Sequence, residues 1–182
     1  MTTATSYQAT RVRRLGVAAG VRDVRVVHEL DGILDHVHPA QLAKTGHSLW
    51  AAWRSHPGYA GADLLLGLDA GGILPTVAVA MASGLPYRLA WKLNLDLPNK
   101  RRFTEPYASR ADVFTYGDLA TKRVLIVDDE ITTGATLANL VSVLRDEAVD
   151  IAGVACLIED TSGSGRALLE GYGVSVCSLT TL

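Results

Sequence analysis

Two adjacent carboxylates followed by a run of hydroxyls carry the chemistry of this 182-residue chain: Asp128-Asp129, then Thr132-Thr133-Gly134-Ala135-Thr136. Small residues let backbone amides approach an anion closely, and a following helix adds the positive end of its dipole. Thr132, Thr133 and Thr136 can donate hydroxyl hydrogen bonds to phosphate oxygens. No Lys stands in this loop, which excludes a Walker A phosphate loop. The two carboxylates would repel a phosphate beside them but suit a pair of sugar hydroxyls, which donate to carboxylate oxygens. Phosphate on one side and a vicinal diol on the other describes a ribose 5-phosphate.

The flanking residues say what holds that loop. Val124-Leu125-Ile126-Val127 reads as a buried parallel strand, and Leu137, Leu140, Val141 and Leu144 recur at helical spacing. The acids and the loop therefore sit at the carboxyl end of a strand, where ligands bind in open α/β sheets. An ordinary buried strand and capped helix would explain the apolar pattern. It would not explain adjacent acids with three threonines. A second strand–turn–helix, Leu66-Gly67-Leu68-Asp69-Ala70-Gly71-Gly72-Ile73, again puts glycines where a backbone can approach a ligand.

Strand and helix signals alternate along the rest of the chain. Strands are expected near 24–27, 63–68, 87–91, 112–116, 151–158 and 174–179. Helices are expected over Gln41 to Trp53, from the Gly71-Gly72 turn through Ala82, over Ala135 to Arg145, and over Ser164 to Tyr172. The fold class is α/β: a mostly parallel sheet flanked by helices, joined by right-handed crossovers. Asn94 to Ser109 shows no clear period, and Arg11, Arg13 and Arg14 are expected on a helix. No linker divides residues 1–182, which read as a single domain. Net charge is −2, with no basic excess to suggest nucleic acid. The longest apolar run, Ile73 to Ala82, is too short to span a bilayer, and Met1 to Thr10 lacks an apolar signal core, so the cytoplasm is expected. Cys156 and Cys177 lie in apolar runs and read as reduced core residues. His36 and His38 lack a third ligand nearby, which argues against a metal site.

The segment from Val124 to Thr136 resembles the 5-phosphoribosyl 1-pyrophosphate (PRPP) motif of the type I phosphoribosyltransferases. The tail, Ile158-Glu159-Asp160 through Gly173-Val174, and the stretch Val27 to Trp53 resemble the bacterial xanthine and adenine (purine) branch, so the likeness covers about 24 to 179. It implies an enzyme that moves 5-phosphoribosyl from PRPP to a nitrogenous base. It assigns Thr132, Thr133, Gly134, Ala135 and Thr136 to the 5′-phosphate, Asp128 and Asp129 to the ribose, and Asp69, Ala70, Gly71, Gly72 and Lys92 to pyrophosphate, with Asp128, Asp129 and Lys92 as the catalytic set. It implies Mg²⁺ held mainly by PRPP, pyrophosphate and water, a homodimer, and a small hood over the base from about 24–40 and 158–182. It also implies that Leu93 to Arg110 closes over the site; an ordinary surface hairpin is the alternative.

Two departures bear on the base. Xanthine enzymes carry a Lys after the Ile-Glu pair where this chain has Asp160, and Asp35 stands where their hood carries an Asn. Carboxylates accept hydrogen bonds, which favours an amino-bearing base such as adenine over xanthine. Asp160 can equally cap the loop or helix that follows. A PRPP-sensing regulator without catalysis is the competing class. Such proteins carry an added N-terminal DNA-binding module, and about 23 residues before the first expected strand are too few for one. A nucleotide or phosphosugar binding protein of another family is a third reading.

Overall fold

The computed structural model describes residues 7–182; of the expected polar start, Met1 to Ser6 lie outside them. Strands and helices alternate: β1 (Ala9–Arg13), β2 (Val24–His28), α1 (Pro39–Arg54), β3 (Leu64–Leu68), α2 (Ile73–Ser83), β4 (Tyr87–Ala90), β5 (Arg101–Thr104), β6 (Asp112–Thr115), β7 (Arg123–Ile131), α3 (Ala135–Asp146), β8 (Asp150–Glu159), α4 (Gly165–Gly171) and β9 (Val176–Thr181).

Five strands form one parallel sheet in the order β4-β3-β7-β8-β9. The apolar runs of β3 and β7 are continuous because both faces are covered. Leu64, Leu66, Leu68, Val124 and Ile126 pack with Leu137, Leu140 and Leu144 of α3. The alternate residues Leu65, Leu125 and Val127 pack with Leu49 and Trp53 of α1 and Val79 of α2. Each such side chain contributes about 1.5–3 kcal/mol on burial. Both cysteines are free and buried, in β8 and β9, as their apolar surroundings imply. No described helix is long and apolar enough to cross a membrane.

Two small antiparallel pairs lie outside this sheet, the second joined to its edge by an antiparallel bridge between Trp91 and Phe114, and one strand of each differs from the sequence reading. Arg11 and Arg13 lie on a strand rather than a helix: β1 pairs with β2, with Arg11 opposite Val26 and Arg13 opposite Val24. The segment has no apolar stripe at helical spacing to bury, and β2 satisfies its backbone instead. The second pair is β5–β6. β5 falls inside the stretch without a clear period because an arginine takes an inward position: Arg101 is buried with Phe103 while Arg102 and Thr104 face out. Its guanidinium ion-pairs with Glu147 and donates to the Gly117 carbonyl at 2.7 Å.

Candidate active site

The strand order reverses between β3 and β7. From β3 the chain steps outward to β4, and then returns to the other side of β3 as β7. At such a switch point the loops leaving two neighbouring strands diverge and open a crevice. The loops leaving these two strands are Asp69–Gly72 and Thr132–Gly134. A cavity of about 480 Å³ opens there, within the ~300–1,000 Å³ of small-molecule sites. Its wall includes Asp69, Ala70, Gly71, Lys92, Asp128, Asp129 and the run from Thr132 to Thr136. Residues scattered over 68 positions of sequence are thus brought to one mouth.

Glycine is required where the two loops meet. A Cβ on Gly71 would lie 1.9 Å from the Asp129 carboxylate, and one on Gly72 would lie 2.8 Å from Asp128 Oδ1. Gly72 is behind the wall, where it precedes α2 and accepts from the Thr76 hydroxyl at 2.6 Å. Across the crevice, Gly134 takes φ +71° ahead of α3, and Thr133, Gly134, Ala135 and Thr136 line the cavity at that helix's N-terminus. The segment after β8 backs this loop: Gly165 N–H donates to the Thr132 carbonyl at 2.8 Å.

The acid pair is electrostatically split. Burial, then the neighbouring Asp129 charge, pushes the Asp128 carboxyl well above the usual carboxylate range. Burial opposes ionisation of Asp129 too, but His28, Asp128 and the Arg25 guanidinium outweigh it and hold Asp129 below that range. The Asp129 amide donates to Asp128 Oδ1 at 3.0 Å.

Sequence reasoning missed the basic and imidazole groups that surround these acids. Arg22 ion-pairs with Glu130 and donates to the Thr132 hydroxyl at 3.2 Å. Arg25 and His28 lie 3.9 and 3.8 Å from Asp129 Oδ2. Arg14 and Glu130 also border the cavity. Arg14, Arg22, Arg25 and His28 all come from the β1–β2 segment, where only the alternation in Val24-Arg25-Val26 hinted at a strand. Lys92 lies two residues beyond the end of β4 and borders the cavity, with its ammonium 2.7 Å from Glu105. Glu105 belongs to the tip of the β5–β6 hairpin, which borders the cavity through Ser109. The segment expected as a lid or hairpin is thus a hairpin whose tip forms part of the wall.

A family model described as phosphoribosyl transferase domain matches residues 37–177. Xanthine phosphoribosyltransferase of Brevibacillus brevis is 30% identical over 166 residues, covering 86% of this chain and 82% of that protein. Hypoxanthine/guanine phosphoribosyltransferase of Methanohalophilus mahii is 29% identical over 121 residues, covering 66% and 63%. The crystal structure of adenine phosphoribosyltransferase from Rhodothermus marinus superposes with a TM-score of 0.71 at 20% identity, covering 96% and 94%. The chain belongs to the phosphoribosyltransferase family. It is a PRPP-dependent glycosyltransferase with the type I fold of the purine branch.

Against that background, two residues expected to read the base of this phosphoribosyltransferase lie outside the cavity wall. Asp35 is 82% exposed and bonds its neighbour His36. Asp160 is buried, with Arg11 Nη2 donating to Oδ1 at 2.6 Å, Arg11 Nε to Oδ2 at 3.1 Å and Ser162 N–H to Oδ1 at 3.0 Å. The Arg11 guanidinium holds this carboxyl far below the usual range. These contacts match the loop-capping alternative. The reach of β1 to the C-terminal segment is a tertiary fact with no local sequence signal.

Proposed function

We propose that this phosphoribosyltransferase transfers the 5-phosphoribosyl group of PRPP to a ring nitrogen of a purine and releases pyrophosphate. One observation carries the reading: a threonine-rich loop at a helix N-terminus, an acid pair and a glycine loop border a single cavity at the sheet's switch point. The amides and hydroxyls of Thr132 to Thr136 take the 5′-phosphate. Asp128 and Asp129 accept from the ribose hydroxyls and oppose the positive charge that develops at C1 as the bond to pyrophosphate lengthens. Asp69 to Gly72 and Lys92 take the leaving pyrophosphate, for which Lys92 exchanges its pairing with Glu105. A base nitrogen then bonds to C1. Positioning and charge stabilisation supply the acceleration, with no covalent nucleophile.

The site's acids fit Mg²⁺ carried in by the substrate. The ion is held mainly by pyrophosphate oxygens and water. When bound, it neutralises pyrophosphate charge. We place the hood at 24–40 and 158–182, treat 1–182 as one domain acting as a homodimer, and assign it to the cytoplasm. Adenine is the proposed acceptor ahead of xanthine, because a carboxylate, Asp160, replaces the lysine of the xanthine enzymes. Asp160 and Asp35 then meet the base only after Asp160 leaves Arg11 and the exposed loop carrying Asp35 folds inward.

The test is incubation with PRPP, Mg²⁺ and a panel of bases, measuring pyrophosphate and nucleotide. Turnover with adenine and weak turnover with xanthine is the expected result; the reverse order overturns the adenine assignment. Tight PRPP binding without turnover on any base would support the regulator reading instead.

A further inference from the structure

Resting on the phosphoribosyl-transfer reading, we propose that His28 is a positioning residue for Asp129, and that Tyr7 sets its ring in the tautomer with the proton on Nε2. His28 closes β2 and is 4% exposed, so a polar ring has been taken out of water beside the acid pair. Burial of that kind is costly unless the ring nitrogens find partners.

Both nitrogens face polar groups, and the two sides differ. The Leu30 amide donates to Nδ1 at 3.3 Å, and the Tyr7 hydroxyl stands 2.7 Å from the same nitrogen. A nitrogen that accepts carries no proton, so the neutral ring bears its hydrogen on Nε2. Burial, then the Glu29 charge, pushes the Tyr7 phenol well above its ordinary range, which keeps the hydroxyl a donor. Nε2 faces Asp129 Oδ2 at 3.8 Å.

Gly71 closes on the same oxygen, where even a Cβ would come within 1.9 Å of Oδ2. The carboxylate thus meets both the imidazole and the loop that carries Gly71. Arg25 stands 3.9 Å from the same oxygen. At 3.8 Å the His28 contact is electrostatic; a shift of about 1 Å brings it into hydrogen-bond range. A satisfied core histidine would account for Tyr7 and Leu30. It would not account for Nε2 aimed at a carboxylate in the cavity wall.

The consequence is a division of labour. The PRPP loops bind the donor, while the chain Tyr7–His28–Asp129 holds one carboxylate in the orientation that serves the ribose. Its loss should therefore lower kcat more than it weakens PRPP binding. A displacement of about 1 Å in a reacting group can cost on the order of 100-fold.

The test uses the full chain with His28→Ala, His28→Gln and Tyr7→Phe, assayed at saturating PRPP with whichever base the wild type turns over. Imidazole ¹⁵N–¹H spectra of the wild type are recorded in parallel. The expected results are a wild-type His28 spectrum showing Nε2–H, a kcat loss of about 10–100-fold in His28→Ala with little change in the KM for PRPP, partial recovery in His28→Gln through its amide N–H, and an intermediate loss in Tyr7→Phe. An unchanged kcat in folded His28→Ala overturns the proposal, as does an equal loss in the Ala and Gln variants or a proton on Nδ1. If His28→Ala does not fold, Tyr7→Phe and the spectrum decide. Failure of the wild type to turn over any base sinks the enzymatic reading, whereas a proton on Nδ1 sinks only the His28 assignment.

Discussion

Asp128 and Asp129 are neighbours in sequence yet meet different surroundings, and their substitutions should separate stability from activity. Asp128 has a folded-state pKa raised above its unfolded value, first by burial and then by Asp129. The folded form therefore binds the proton more tightly, and stability is lost as pH rises through the unfolded value toward the raised one. Asp128→Asn should raise the melting temperature at pH 7, with a gain that shrinks toward pH 4, while turnover falls. Calorimetry at both pH values, alongside the nucleotide assay, reads this directly. Asp129→Asn should lower turnover on the order of 100-fold, since a charge aimed at the developing cation is lost, while circular dichroism still reports a folded chain. Unchanged turnover would count against its ribose role. Gly71→Ala forces a methyl into the Asp129 carboxylate and should weaken both PRPP binding and turnover.

At the scale of elements, the β5–β6 hairpin is anchored from below and presents its tip to the site. Phe103 and Val113 are buried in the core beside α3, and the side-chain amide of Asn139 in α3 donates to the Thr104 carbonyl at 2.8 Å. Phe103→Ala should cost about 3–5 kcal/mol in denaturant unfolding. It should also raise the KM for PRPP, because Glu105 and the rest of the tip lose their footing. Elements with two covered faces or a clean apolar stripe were legible in the sequence: β3, β8, α1 and α3 lie close to their expected bounds, while β7 runs on past the expected Val124 to Val127 as far as Ile131. β1 and β5 were not. Each draws its order from one partner strand, and each carries arginines whose inward or ion-paired placement hides the alternation.

The whole molecule is tied together at its C-terminal side by two ion pairs. Arg11 of β1 holds Asp160, and Arg166 of α4 holds Glu159, and both carboxyls are lowered chiefly by those guanidinium hydrogen bonds. A depressed carboxylate contributes stability above its unfolded pKa, about 4, and that contribution is lost as pH falls through the folded value. The melting temperature should therefore drop on acidification below about pH 4. In Asp160→Asn the acid limb should be shallower, with the pH 7 melting temperature already reduced. A variant whose acid limb matches the wild type would show that the β1 contact is idle.

The sequence by itself determined the reaction class and the sheet. Acids and threonines lie within nine consecutive residues of β7 and its loop, so backbone geometry alone sets them side by side, and apolar periodicity is local information. What only the tertiary structure decided is the company the acid pair keeps. Gly71, Arg25 and His28 reach Asp129 from other parts of the chain, with Tyr7 behind His28, and Asp160 meets Arg11 across 149 positions. Contacts over such separations follow from how layers pack, and no local pattern in one chain encodes them. For the same reason the motif carries the donor reading, while the surroundings of Asp160, the residue proposed to meet the acceptor, depend on where β1 docks.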